Sequence, residues 1–517
     1  APSALGPVLQ ASEAAGAMAT VDSRPRADAT RASKDGDVVG PPPPPGGVSR
    51  VFAYWVVSAG SLGVSYSNGI LLVEFLNEFG QGRAQTAAVG AAATGLMLFG
   101  GIFVGPLVAF LDTHTNQRGS LVSCALGAVL AGLGLFVSAE ADALWQLFLS
   151  YSLLVGLGHT LALYAGIIVV NQWFNKRQAL ASALGNTGAG VGPFLLAPLW
   201  ATMRVQLGGW RGILRVLAGC DVVLLLAAAF GLTPPPPQSA AQPSVDAELD
   251  KREDAAVGGS DHPKSSTWAM LKNRELMRIT LAALMYGMGS WTPFVFLVDV
   301  GLDQVLFNQT VLPFPSSRAC WGSPTTVLTH NHARLGRNFC RQGLSRGSAD
   351  VLVLCLAAGS IGLRVPINAL ADKFGRRKVW VLASLGYALV NFILPFIWTS
   401  NPVVLYPYAV LAGGFVGGLN SMIVTLAPPV CPPEQMGQAV GISCATLGLG
   451  TFLGPVITGA IFDKLGSYSG GWWFSAACLF PGCLVLWFPI QWFGAKPAHG
   501  EKSPSEPAAV AKPAAKV

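Results

Sequence analysis

A chain of 517 residues that is 52% hydrophobic and only 11% charged is far from an ordinary soluble domain, where about 25% of residues carry charge. Its apolar runs repeatedly reach the roughly 20 residues that take a helix across a ~30 Å hydrocarbon core, and helices satisfy their own backbone hydrogen bonds in lipid. Despite the net charge of +7, this composition excludes a soluble enzyme or nucleic-acid binder and predicts a polytopic helical membrane protein.

Residues 1–49 are rich in Ala, Pro and charge, with PPPPP at 41–45, and read as a disordered tail. They lack the apolar stretch of a signal peptide and carry acids that a transit peptide avoids; the first residue is not Met, and Met18 is a candidate initiator. Six spans are predicted at about 52–76, 84–110, 119–138, 143–173, 178–201 and 210–231, making an N-terminal half over 50–232. A polar linker, 233–275, opens with TPPPP and carries the mixed charge of DAELDKRED. Six further spans are predicted at about 276–301, 349–371, 378–399, 403–427, 437–462 and 470–494, making a C-terminal half over 276–494, followed by a Lys/Pro/Ala tail at 495–517. The expected fold is an all-α membrane protein of twelve transmembrane helices in two pseudo-symmetric six-helix bundles.

The loop 302–348 is long, basic and aperiodic. It carries the glycosylation sequon Asn308-Gln309-Thr310 together with Cys320, Cys340, His330 and His332. Three readings stay open: a Cys320–Cys340 disulfide, a zinc site whose spacing matches no standard set, and a segment foreign to the carrier, since PFVFLVDVGLD would join QGLSRGSADVLVL directly. The other cysteines are scattered singly through the spans and read as small core hydrophobes.

With the N-terminus inside, the cytoplasmic segments hold 22 of the 33 Lys and Arg residues, which fits the positive-inside rule. The halves also echo each other. GPLVAFLD (105–112) closes span 2 and VPINALAD (365–372) closes span 8, aligning Pro106 with Pro366 and Asp112 with Asp372, each Asp followed by bases: Arg118 in one half, Arg376 and Arg377 in the other. GAGVGP (188–193) in span 5 is echoed by GLGTFLGP (448–455) in span 11, small residues that let helices approach closely. Repeats of this kind mark transporters whose sites lie near the midplane between the halves.

The run from Asp372 to Lys378 resembles the loop after spans 2 and 8 of the major facilitator superfamily. There a carboxylate at a helix end faces bases and a neighbouring helix end, and can latch the cytoplasmic side in one state; the first-half copy, DTHTNQR, is degenerate. Three further stretches are similar to the monocarboxylate transporter family: WFNKRQALASALGNTGAGVG (173–192), PFVFLV (293–298) and GPVITGAIFDKLGSY (454–468). The likeness covers nearly all of 51–494 outside the loop 302–342.

Arg364 interrupts the apolar run of span 8. An arginine at a helix centre costs about 2.5–3.5 kcal/mol on insertion scales. Eight residues before Asp372 is about 12 Å from the cytoplasmic end, too deep for easy snorkelling. Guanidinium offers a planar bidentate fork to a carboxylate. The family resemblance implies that an arginine at this place binds the substrate carboxylate; the alternative is an Arg satisfied by carbonyls or by an acid such as Asp221 in span 6. Two positions depart from the family's proton-coupled pattern: Ser360 stands where it has an aspartate, and Ile70 where it has a lysine. Substrate exchange, facilitated diffusion and proton coupling through another group are therefore all open.

Tyr66 and Asn68 in span 1, and His159 and Tyr164 in span 4, are the other candidates for lining a site with Arg364 and Ser360; a lone His in a span is also often a helix-packing residue. Asp112, Arg118, Asp372, Arg376 and Arg377 are the candidate latch. The expected function is alternating-access transport of small organic anions, with a proton as an open co-substrate. The alternatives are a same-fold carrier of a neutral or larger solute, and a non-transporting membrane sensor or scaffold. No enzymatic constellation, cofactor or metal site is expected; the plasma membrane is the first expectation for location, an endomembrane the second, and an accessory membrane protein is left open as a partner.

Overall fold

The computed structural model describes residues 46–174, 178–235, 272–303, 344, 346–398, 402–426 and 436–487, and these form helices joined by short connections. In chain order they are α1 (Gly47–Phe79), α2 (Arg83–Phe99 and Gly101–His114, bent by 50° between them), α3 (Gly119–Ser138), α4 (Leu144–Trp173), α5 (Gln178–Asn186 and Gly188–Gln206) and α6 (Trp210–Gly231). The second half holds α7 (Arg274–Leu302), α8 (Arg346–Phe374), α9 (Arg376–Trp398), α10 (Leu405–Leu426), α11 (Met436–Leu465) and α12 (Ser469–Trp487). Among the described residues nine helices are long and apolar enough to cross a membrane, or ten with the bent α2 as one span; α5 and α10 occupy the places of the fifth and tenth expected spans. The sequon, Cys320, Cys340, His330 and His332 lie outside the described residues, as do the tails and most of the linker.

The halves begin and end on one face, at Gly47, Gly231, Arg274 and Trp487. This terminal face is the one that the Lys/Arg distribution assigns to the cytoplasm; the opposite one is the distal face. Large apolar side chains such as Phe103, Leu195, Val223 and Phe230 are more than 60% exposed. In water such a surface would drive aggregation, whereas against lipid tails it is the expected exterior.

The glycine echoes give the two halves the same packing. A Cβ on Gly188 or Gly192 of α5 would strike the α1 backbone at Trp55 or Ala59, and one on Gly190 would strike Ile361 of α8 in the other half. In α11, a Cβ on Gly450 or Gly454 would strike the α7 backbone at Leu284 or Met288, and one on Gly448 would strike Gly95 and Phe99 of α2. Each small-residue stripe thus seats one helix inside its own bundle and against one helix of the partner bundle. This close approach replaces the hydrophobic driving force that helices lack in lipid.

Two polar knots tie the N-terminal half. Asn68 of α1 donates to Gly90 O at 3.2 Å and Thr94 Oγ1 at 3.3 Å on α2, and accepts from Tyr151 Oη on α4 at 2.8 Å. Tyr151 lies in a π-helical stretch, Phe148–Val155, whose extra residue per turn re-aims side chains; the next residue, Ser152, donates to Val89 O at 2.8 Å. The second knot is His159 Nε2 of α4 against Asp221 Oδ2 of α6 at 3.1 Å, both almost fully buried. Gly60 of α1 makes room for that carboxylate, since a Cβ there would come within 2.8 Å of Asp221 Oδ1.

A buried polar group that loses its hydrogen-bond partner costs more than the bond itself was worth. His159→Ala, which leaves Asp221 Oδ2 without its 3.1 Å partner, is expected to destabilise the purified protein by about 1–3 kcal/mol. The double variant His159→Leu with Asp221→Asn should recover most of that loss. Thermal unfolding in detergent checks both; equal stability of the single variant and the parent would remove the pair from the account.

Candidate substrate site and the gates around it

Arg364 is 1% exposed and Ser360 fully buried; Arg364 reaches α5, while Ser360 lies against Gly417 of α10. The local backbone explains where the guanidinium goes. In α5 the helix breaks at Thr187: the Gly190 amide turns to Thr187 O at 3.0 Å, and Thr187 Oγ1 donates to Leu184 O at 2.6 Å. The Asn186 carbonyl is thereby released from the helical ladder, and such an orphan needs another donor. Arg364 Nη1 supplies it across the seam between the halves at 2.9 Å. Nη2 donates to Ser360 Oγ at 3.0 Å, and Nε leans on Ser360 O at 3.5 Å. Asn368 Nδ2 in turn donates to Arg364 O at 2.8 Å.

Among the described residues every acceptor of this guanidinium is neutral. Asp221, the acid offered by the sequence as an alternative partner, is held by His159 instead, and among the described residues no carboxylate pairs with Arg364. Tyr54 of α1 and Tyr286 of α7, both buried, lie within electrostatic reach of it. Tyr54 fills notches left by Gly166 of α4 and Gly185 of α5. Neither tyrosine stood out in the sequence, because an aromatic in an apolar span carries no sign of which way it points.

The other candidates divide. Tyr66 is buried at the seam, its ring 5.3 Å from Trp291 and 4.7 Å from Phe294 of α7. Tyr164 covers the bend of α2: its ring occupies the space a Cβ on Gly101 would need, and its hydroxyl donates to Leu98 O at 2.9 Å. Asn68 and His159 spend their polar groups inside the N-terminal bundle, as described above, and are not brought together with Arg364.

The latch candidates also act within their own halves. Asp112 Oδ1 accepts from the Gly119 amide at 2.6 Å and so caps α3, while Arg118 forms no ion pair among the described residues. Asp372 and Arg376 face each other at 3.5 Å with both side chains solvated, a geometry worth little in stability. Arg377 Nε donates to Leu486 O at 2.7 Å and Arg278 donates twice to Val485 O, at 2.9 and 2.5 Å, with Glu275 between them. Two guanidiniums thus cap the carboxyl end of α12, where the helix dipole favours cations.

The distal face is different. Arg83, opening α2, donates through Nε to Asp299 of α7 at 2.7 Å and to the Tyr468 hydroxyl at 2.7 Å, and its guanidinium lies 3.9 Å from the Phe462 ring centroid. Tyr468 donates to the same Asp299 oxygen. The Asp463 carboxylate, near the end of α11, accepts from the amides of Arg83 and Ala84 at 2.9 and 3.0 Å, capping a helix of the opposite half. Glu74 of α1 accepts from Arg346 of α8 at 2.8 Å. The halves are therefore clasped by charge on the distal face, while the terminal-face clusters form no such clasp among the described residues. None of these distal residues had been singled out for a role, although Asp463 and Tyr468 lie in GPVITGAIFDKLGSY; charges at helix ends read as hydrated ends.

Comparison with known proteins agrees with this architecture. The profile described as Major Facilitator Superfamily matches residues 53–340 and 324–516. Monocarboxylate transporter 14 of Mus musculus is 23% identical over 471 residues, covering 82% of this chain and 86% of that protein. Monocarboxylate transporter 13 of Rattus norvegicus is 25% identical, covering 86% and 89%, and monocarboxylate transporter 11 of Homo sapiens is 26% identical, covering 86% and 83%. Among solved structures, a D-xylose-proton symporter superposes with a TM-score of 0.60 at 13% identity, covering 85% of this chain and 97% of that one. A nucleoside transporter superposes with a TM-score of 0.57 at 12% identity, covering 85% and 98%. The chain belongs to the major facilitator superfamily: it is a multi-pass transmembrane transporter, distantly related to the monocarboxylate transporters.

Proposed function

We propose that this transporter moves small organic anions by alternating access, with Arg364 as the group that takes the substrate carboxylate. The observation that carries the reading is the buried guanidinium at the seam, bonded among the described residues only to the neutral acceptors Asn186 O and Ser360. Guanidinium keeps its charge at any working pH, and its bonds to neutral oxygens are weaker than the bidentate pair a carboxylate would make. An entering anion therefore gains by displacing the Asn186 carbonyl. That displacement also removes a bond between the halves, which links occupancy of the site to movement across the seam. The relatives named above as monocarboxylate transporters support the same substrate class.

In this reading the distal clasp of Arg83, Asp299, Asp463, Glu74 and Arg346 holds the present state. The clusters Asp112–Arg118 and Asp372–Arg376 take over on the terminal face when the distal side opens, each carboxylate then facing the opposite half. Tyr66, on the seam between α1 and α7, moves with that change. Ser360 fixes the orientation of the guanidinium, and its hydroxyl leaves the site without the acid that would neutralise it.

Uptake of radiolabelled carboxylates, pyruvate and lactate first, tests the assignment at equal surface expression. Arg364→Ala is expected to lose nearly all uptake. Arg364→Lys keeps the charge but not the fork, and should raise the apparent KM by about tenfold, one charge-assisted bond. Ser360→Asp should weaken uptake as pH rises from 5.5 to 8, because the new carboxylate then competes for the arginine. Normal anion uptake by Arg364→Ala would reduce Arg364 to a structural residue.

A further inference from the structure

Two carboxylates and two guanidiniums meet on the distal side of the seam, and one of the four is left out. Glu74 of α1 accepts from Arg346 Nη2 at 2.8 Å and Arg204 Nη1 of α5 at 3.4 Å. Asp350, one turn beyond Arg346 on α8, is 2% exposed, and neither of its oxygens receives a hydrogen bond among the described residues. Among the described residues the nearest cationic atom is Arg346 Nε, in an ion-pair contact 4.0 Å from Asp350 Oδ1 and itself buried without a hydrogen bond. Arg346 gives its hydrogen bond across the seam to Glu74 and keeps only a long ion-pair contact, without a hydrogen bond, to the carboxylate on its own helix. A buried carboxylate without a donor is poorly accommodated as an anion and much better as a neutral acid.

We propose that Asp350 is a proton-binding site of the distal gate, occupied while the gate is closed and emptied to the distal-side water when it opens. The inference rests on the alternating-access part of the function proposed above and is independent of what Arg364 binds. Opening the distal face separates α1 from α8 and takes Glu74 away from Arg346. Arg346 and Asp350 are four residues apart, a spacing at which an ion pair forms along one helix, so the released guanidinium turns to Asp350 and favours its ionised form. One arginine thus gives its hydrogen bond to two carboxylates in turn, and the carboxylate left without that bond on closing takes up a proton.

The other groups around Asp350 leave this exchange intact. From α5 and α1 the charged neighbours are Arg204 and Glu74, already bonded to each other. From α10, Tyr406 donates to the Ser348 main-chain oxygen at 3.0 Å. On α7, Asp299 is held by Arg83 and Tyr468.

The sign follows from linkage. The closed state binds the proton more tightly, so acid stabilises closure and the closed-to-open ratio falls with rising pH, by up to about tenfold per unit for one proton. Distances between spin labels at positions 142 and 403, distal sites 91% and 59% exposed in the two halves, report the ratio; attachment through a ketone-bearing amino acid leaves the native cysteines in place. From pH 5.5 to 8 the purified transporter should gain a longer-distance population. Asp350→Asn, which mimics the protonated acid, should hold the short distance throughout. Glu74→Gln, which frees Arg346 for Asp350 even in the closed state, should populate the long distance at every pH. A pH response unchanged in Asp350→Asn overturns the proposal. So does a pH-invariant distance in the parent or a parent-like response in Glu74→Gln, two results that decide the matter even if Asp350→Asn does not fold. Because no substrate is added, failure here and failure of the anion assignment are read separately.

Discussion

A guanidinium cannot shed its charge, so burying one obliges the protein to bring oxygen to it. At Arg364 the oxygens come from a helix broken at Thr187 in the opposite half and from a serine one turn back on α8. The break in α5, the polar Ser360 in an otherwise apolar run, and the close seam between α5 and α8 all meet at this one group. None of the acceptors is charged. The arrangement tolerates the cation without neutralising it, and that residual field at the centre of a membrane protein is what an anion would find.

The seam itself depends on small residues. Gly190 brings α5 against α8 and Gly448 brings α11 against α2, the same contact made twice by the internal repeat. Backbones this close leave little freedom for one helix to slide past the other. The polar contacts at its two ends differ. On the distal side the locks join the halves through Arg83, Asp463, Glu74 and Arg346. On the terminal face Asp112, Arg278 and Arg377 serve as helix caps within one half. In the proposed cycle a terminal-face arginine bound to a helix end gives up that cap before it reaches across.

Much of this was legible in the sequence for a physical reason: lipid punishes exceptions. Spans are visible because the bilayer demands about 20 apolar residues. Arg364 is visible because it violates that demand, and the glycine echoes are visible because no other residue permits such approach. What stayed hidden is direction. Asn68 and Tyr164 are as polar as a site residue should be, yet Asn68 ties α1 to α2 and α4, and Tyr164 serves the bend of α2. Asp221 and His159 sit in different spans, and nothing in their spacing foretells that they meet. The distal clasp was missed for the opposite reason. Arg83, Glu74 and Arg346 lie at span ends, where charge needs no explanation, and only the fold reveals that they face one another.

The central claim is that the uncompensated charge of Arg364 recognises a carboxylate, and binding to the purified protein reads it without the complications of transport. Short carboxylates can be titrated beside their own amides, which match them in size and hydrogen-bonding groups but lack the charge. The account predicts that at least one carboxylate binds the parent protein at least about tenfold more tightly than its amide, the equivalent of one charge-assisted bond, and that Arg364→Ala abolishes the preference. Equal binding of acid and amide by the parent, or a preference that survives in a folded Arg364→Ala, would contradict it.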